Sequence, residues 1–186
     1  MKVKDFMFWA MMLLIVPLCA CSDDDNEVPA EEKPVATSLM TNINFELYED
    51  VFTVADVYLG YIDANGEQVS EKLSSPKVSK EIVTPLSKAK AVGYCIILQS
   101  KKLETHEAVS YRMGLSANQG ICVVLDQNGK SMGQSSSMGT TMKMSVGAGD
   151  IEEFLERSVV FADYGCKLSS DNELKDAKIE WGFNFI

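Results

Sequence analysis

Histidine is almost missing from this chain: His106 is the only one in 186 residues, and Arg112 and Arg157 are the only arginines. One imidazole cannot furnish a histidine-rich metal site. Basic residues are scarce as well, 17 Lys and Arg against 27 Asp and Glu, for a net charge of −10. A nucleic-acid binder needs a basic patch to replace phosphate counterions, so no nucleic-acid partner is expected. No Gly-x-Ser-x-Gly elbow, phosphate-cradling glycine-rich loop or Cys-x-x-Cys pair occurs. Apolar residues are plentiful, at 46%. That fraction and length suit one domain with a real core.

The N-terminus is an address. Lys2 and Lys4 precede an uncharged apolar run, Phe6 to Val16. At ~1.5 Å per residue the run covers roughly half of a ~30 Å hydrocarbon layer, too short to span it, and it reads as a signal peptide over residues 1–20. Leu18-Cys19-Ala20-Cys21 then resembles the bacterial lipobox, with Leu at −3, a small residue at −1 and the cysteine that is lipidated. The resemblance implies a mature protein that begins at Cys21, with diacylglycerol on its thiol and an acyl chain on its amine. Several acyl chains hold a protein to a membrane stably, where one at ~0.8 kcal/mol per buried CH₂ holds it marginally. The competing reading is an ordinary secretory signal with Cys21 incidental.

Cleavage there would leave 15 basic and 26 acidic residues, a net charge of −11. Ser22 to Pro34 alone carries −5 and the remaining 152 residues carry −6. With Pro29 and Pro34 and no aromatic residue, residues 21–34 read as a lipidated, solvated tether. The run Cys21, Ser22, Asp23, Asp24, Asp25 resembles the export signal of surface-exposed lipoproteins of the Bacteroidetes. That implies an outer-membrane, lipid-anchored protein facing the cell surface, where the alternative is an acidic linker facing the periplasm.

Residues 35–186 read as strands. Leu39, Thr41, Ile43, Phe45 and Leu47 alternate with polar neighbours, the period of a half-buried strand. Val51 to Ile62 is rich in β-branched and aromatic residues and ends at Asp63-Ala64-Asn65-Gly66, a hairpin turn that returns through Glu67 to Leu73. Ala91 to Gln99 reads as a central strand, followed by Val109 to Leu115, Ile121 to Leu125 and a second turn at Asp126-Gln127-Asn128-Gly129. Asp150 and Glu153 suggest a capping box for one short helix over residues 151–157. Strand returns at Val159 to Phe161 and Gly165 to Leu168. It ends with Ile179, Trp181, Phe183 and Phe185 alternating against Lys178, Glu180, Gly182 and Asn184. Eight or nine strands predict an all-β fold, a single antiparallel β-sandwich, immunoglobulin- or transthyretin-like.

Part of this body resembles small Bacteroidetes lipoproteins of unassigned function. The matching residues are Ala55 to Tyr61 with the Asp-x-Asn-Gly turn, Ser79-Lys80-Glu81, Ala91-Val92-Gly93 and Tyr111 to Leu115. The similarity is patchy across about residues 45–130 and implies no catalytic residue. The aromatic last strand also resembles the closing strand of an outer-membrane barrel, but Glu67 to Lys90 and Ser131 to Lys143 are too polar to face lipid.

Few constellations promise chemistry. Cys95 and Cys122 lie in apolar runs, where thiols commonly act as small core residues, and with Cys166 the odd count permits one disulfide and a leftover thiol, or none. His106, between Glu104 and Glu107, sits in a polar loop and matches no metal spacing. Met132, Met138, Met142 and Met144 are soft donors suited to Cu(I), yet Met142 and Met144 share strand spacing with Val146, which burial explains. Asp126-x-Asn128-Gly129 begins like a calcium loop but lacks the glycine at position six and the closing Glu. No cofactor, metal or catalytic residue is expected.

These readings converge on a non-enzymatic binding or accessory module anchored to the membrane through Cys21, contacting an envelope protein or a glycan. Tyr48, Tyr58, Tyr61, Tyr94, Tyr111 and Trp181 are aromatics that could form a sugar platform, although strand aromatics mostly fill cores. One alternative is a fimbrial, pilin-like subunit; by resemblance such proteins mature by cleavage after an Arg, and the first here is Arg112, deep in the body. The other is an envelope enzyme, which would need paired carboxylates or a Cys–His pair brought together by the fold.

Overall fold

A computed structural model describes residues 33–183; Cys21, Ser22, Asp23, Asp24, Asp25 and Phe185 lie outside them. The strands are β1 (Ala36–Leu47), β2 (Ala55–Ile62), β3 (Gln68–Lys72), β4 (Lys77–Pro85), β5 (Ala91–Ser100), β6 (Ser110–Asn118), β7 (Gly120–Asp126), β8 (Ser131–Met138), β9 (Met142–Gly147), β10 (Val160–Leu168) and β11 (Leu174–Asp176). Two short helices join them, α1 (Glu49–Val54) and α2 (Ile151–Arg157).

The strands make two antiparallel sheets, the all-β sandwich that the alternation predicts. One sheet holds β8, β7, β1, β6 and β9, with β4 also paired to β1. Its registers show that β6 and β7 continue one another along the side of β1 opposite β4, the line breaking at Gln119. The second sheet runs β11-β10-β5-β2-β3. Leu39, Ile43, Phe45 and Leu47 of β1 face Val92, Tyr94, Ile96 and Leu98 of β5 in one core. The Phe45 and Tyr94 rings stack at 6.1 Å across it. Strand β5 reads as an unbroken apolar run because its other face is buried too: Cys95 and Ile97 are both 0% exposed.

Three hairpins share one turn. Asp63 N–H donates to the Glu67 carbonyl and Gly66 N–H returns to the Asp63 carbonyl. Asp126 with Lys130, and Ser169 with Glu173, repeat this pattern. The residue that needs positive φ is Gly66 at +79°, Gly129 at +73° and Asn172 at +61°. In the first two turns the aspartate Oδ1 accepts two further backbone N–H groups, at 2.8–2.9 Å. The likeness between the first two turns is one of geometry, and the third reaches it from different residues.

Several expectations need correction. Val51 to Ile62 is not one strand. Its first part belongs to α1, which carries the chain from one sheet to the other and buries Val51 and Val54 on one side. Strand β4 was not expected from its polar sequence; Ile82 and Thr84 face inward while Lys80 reaches Glu71 and the Tyr61 hydroxyl. Helix α2 falls where expected, but Asp150 makes no side-chain cap. A 3₁₀ turn at Ala148–Asp150 leads into the helix and leaves Asp150 with helical backbone angles. Glu153 instead pairs with Arg157 one turn on. Residues 177–183 join no ladder, so the last described aromatics do not form a closing strand.

Candidate functional site

The cysteines divide. Cys122 of β7 and Cys166 of β10, both fully buried, form a disulfide that joins the two sheets; of the two alternatives that the odd count permits, it is the one with a single bond and a leftover thiol, and Cys122 is not the free core thiol that its apolar run suggests. Cys95 is the leftover thiol. Burial, with the Asp163 carboxylate nearby, pushes it up to about 12, so it stays protonated and unreactive in place.

The other sequence candidates resolve locally. His106 Nδ1 lies 3.3 Å from the Tyr111 hydroxyl, so its hydrogen-bond partner is a tyrosine and not a thiol. Met138 is in the core and Met132 and Met144 pack against it. Asp126 spends Oδ1 on its own turn. Tyr94 is buried and donates to Asn118 Oδ1 at 2.6 Å; burial raises its phenol well above the ordinary value. The Tyr48 ring lies beneath Arg112 and the Tyr61 ring beneath Lys80, at 5.6 and 4.3 Å. Of the six aromatics named from sequence, Trp181 leads to a recognisable constellation.

It sits on the outward face of the second sheet, where Trp181 and Ile179 are partly buried and pack against the edge of the hydrophobic cluster. Three glycines lie there on neighbouring strands: Gly165 on β10 opposite Gly93 on β5, and Gly60 on β2 opposite Cys95 of β5. Their missing side chains leave a shallow channel that runs across the strands, and residues 177–183 lie in it as a strap. A Cβ on Gly93 would stand 2.6 Å from the Ile179 side chain, and one on Gly60 would stand 2.5 Å from the Phe183 ring. Glycine is required by the close approach of another chain segment. The alternation in the strap is therefore real: Ile179, Trp181 and Phe183 are half-buried, and Lys178, Glu180 and Gly182 are exposed.

Polar groups finish the seat. Ala177 N–H donates to the Gly165 carbonyl at 3.0 Å. The Gln68 amide on β3 donates to the Glu180 carbonyl and accepts from Gly182 N–H, both at 2.7 Å, much as a neighbouring strand would. Trp181 Nε1 donates to Asp163 Oδ1 at 2.8 Å, and its ring stacks on Phe183 at 5.6 Å and 13°.

Asp163 also lines a cleft of about 300 Å³, with Ser137, Met138, Gly139, Tyr164 and Asp176 among its walls. The cleft opens where the end of β8 faces the edge of β10. Clefts of about 340 and 290 Å³ occur elsewhere, so size does not single this one out. Its distinction is the neighbouring stacked indole joined through Asp163. Flat apolar ring faces, carboxylate acceptors and a tyrosine beside a polar cleft suit a hydroxyl-rich or peptide ligand better than a strongly apolar one. Among the described residues no group of three or more His, Cys, Asp or Glu is placed to hold a metal ion.

Sequence reasoning found Trp181 but missed Asp163, Gln68 and the three glycines. The glycines carried the one available signal, since isolated glycines inside strand patterns mark close backbone approach. No protein-family model, curated protein or solved structure matches this chain.

Proposed function

We propose that this chain is a lipid-anchored protein of the outer membrane, exposed at the cell surface. In this reading it acts without catalysis as a binding or accessory module for an envelope protein or a glycan. Cys21 is the lipidated residue and Ser22, Asp23, Asp24 and Asp25 form the export signal. The observation that carries the reading is the run from Leu18 to Asp25, a lipobox followed at once by an acidic stretch. The buried Cys122–Cys166 disulfide supports it, because such bonds persist in oxidising compartments outside the cytosol. The cleft at Asp163 and the Trp181–Phe183 stack supply the binding part. Arg112 argues against a pilin-like maturation: it lies within β6 with its guanidinium on Asp50, and cleavage there would sever the sheet.

Expression in a Bacteroidetes host with an alkyne-tagged fatty acid tests the anchor and the address separately. Cys21→Ala is expected to abolish labelling. Replacing Asp23, Asp24 and Asp25 with alanine is expected to keep the label but remove surface exposure to added protease. An unlabelled wild-type protein would refute the anchor, and a triple variant still shaved from the surface would refute the sorting role. An empty glycan array together with an empty envelope pull-down would refute the binding module.

A further inference from the structure

We infer that Asn128 is a site of spontaneous modification: it deamidates to aspartate and isoaspartate in the folded protein, while Asn65, in a turn of the same geometry, is shielded. Asn65-Gly66 and Asn128-Gly129 are the two Asn-Gly pairs of the chain. A glycine after asparagine puts no side chain in the way of its own nitrogen. That nitrogen attacks the side-chain carbonyl carbon of the asparagine. A C–N bond forms, the side-chain nitrogen leaves as ammonia with the glycine N–H proton, and a five-membered succinimide results. Water then opens the ring at either carbonyl, leaving aspartate or isoaspartate.

Most restraints on this reaction are common to the two turns. Gly66 N–H donates to the Asp63 carbonyl and Gly129 N–H to the Asp126 carbonyl, both at 3.0 Å. Each aspartate Oδ1 accepts two backbone N–H groups. Each aspartate carbonyl also accepts a threonine hydroxyl, from Thr84 in the first turn and Thr37 in the second. Two differences remain, and both favour Asn128. The Asn65 side-chain amide donates to Asp63 Oδ2 at 3.2 Å, which holds the group that must be attacked. Asn128 is exposed, and among the described residues its hydrogen bond is made by its backbone N–H and not by its side chain. Gly66 is also packed: a Cβ there would stand 2.7 Å from the Lys88 carbonyl oxygen. A Cβ on Gly129 would meet nothing within 4 Å among the described residues. The second turn therefore rearranges toward attack geometry without displacing a neighbour, and local openings of this kind lie below the global unfolding free energy.

The product adds a negative charge at the tip of the β7–β8 hairpin, and isoaspartate also lengthens the main chain by one CH₂. It does so beside the groups that hold the start of β1. Gln127 Oε1 accepts Val35 N–H at 2.8 Å, and the Asp126 carbonyl accepts the Thr37 hydroxyl at 2.9 Å.

The experiment incubates the full-length protein in mildly alkaline buffer and follows both Asn-Gly peptides by mass spectrometry, separating asparagine, aspartate and isoaspartate forms. A reduced, urea-unfolded sample run in parallel gives the rate of each pair without the fold. Unfolded, the two should convert at similar rates. Folded, Asn128 should convert faster than Asn65 by about threefold or more relative to the unfolded ratio, the scale of one hydrogen bond. Asn128→Gln should remove the product at that position and leave the circular-dichroism spectrum unchanged. A folded-state ratio below that scale would overturn the inference, because the turns would then protect their asparagines equally. So would an Asn128 that stays intact in the folded protein while the unfolded chain converts at both pairs.

Discussion

The inter-sheet disulfide should be the largest single contributor to stability open to mutation. Cys122 and Cys166 are 44 residues apart, and closing a loop of that size restricts the unfolded chain by about 4 kcal/mol at 25 °C. The intervening chain includes β8, β9, α2 and most of β10. Without the cross-link, β7 and β10 are held together only by packing. Typical domains have a total stability of about 5–15 kcal/mol, so the loss is a large fraction of the whole. For a domain of this size, about 2–4 °C per kcal/mol converts it to a fall in melting temperature of roughly 8–16 °C. The perturbation is Cys122→Ala with Cys166→Ala, which leaves no buried polar atom behind. The assay is thermal denaturation by circular dichroism, together with thiol titration in denaturant before and after reduction. The wild type should gain two thiols on reduction and the variant none. No gain in the wild type would refute the bond. A melting shift below about 3 °C with the bond demonstrated would refute the loop-entropy reasoning.

Thr41 of β1 is 1% exposed and its hydroxyl has no hydrogen-bond partner among the described residues, so Thr41→Val should stabilise the domain by about 1–2 kcal/mol, read as a higher urea midpoint; a lower midpoint would show that the hydroxyl is satisfied. The Asp63 carboxylate lies below its ordinary value of 3.8, chiefly because it accepts the Glu67 backbone N–H and then that of Asn65. A depressed folded value means that its contribution is present above the unfolded value and is lost as pH falls through the folded one. An NMR titration should place Asp63 below 3.8, with Asp63→Asn flattening the acid limb of the stability curve; a midpoint at or above 3.8 would contradict the turn geometry.

Much of the frame was legible because alternation and turn chemistry act locally. The inward set of β1, the two Asx-type turns and the position of α2 follow from neighbouring residues alone. The misses share a different origin. Val51 to Ile62 carries strand-like residues throughout, but the chain must leave one sheet and enter the other, and Val51 and Val54 at i, i+3 turn inward on a helix instead. In β4 an inward Lys80 disguises a strand whose charge is satisfied by Glu71 across the sheet gap. At the C-terminus the alternation correctly separated buried from exposed residues, but it could not name their partner: the same pattern suits a ladder or a glycine channel. The candidate site was least legible because Gly60, Gly93, Gly165, Gln68, Asp163 and Trp181 come from four strands and a tail. Only the folded sheet makes them neighbours. The cysteine pairing was open for the same reason, being decided by β7 and β10 facing each other across the core.

Strand β1 has a mechanical consequence. It is the first strand of the described residues, and it is bonded to β4 on one side and to β6 and β7 on the other. If Cys21 is fixed in a membrane and a partner pulls on the body, the load enters at the end of this central strand and runs along its length. Ladder bonds on both flanks then bear the force together in shear, whereas an edge strand would peel bond by bond. Resistance to such loading is set by an unfolding rate and not by equilibrium stability. Under load applied from the N-terminal side, this arrangement places the bonds of β1 to β4, β6 and β7 first in the path of the force.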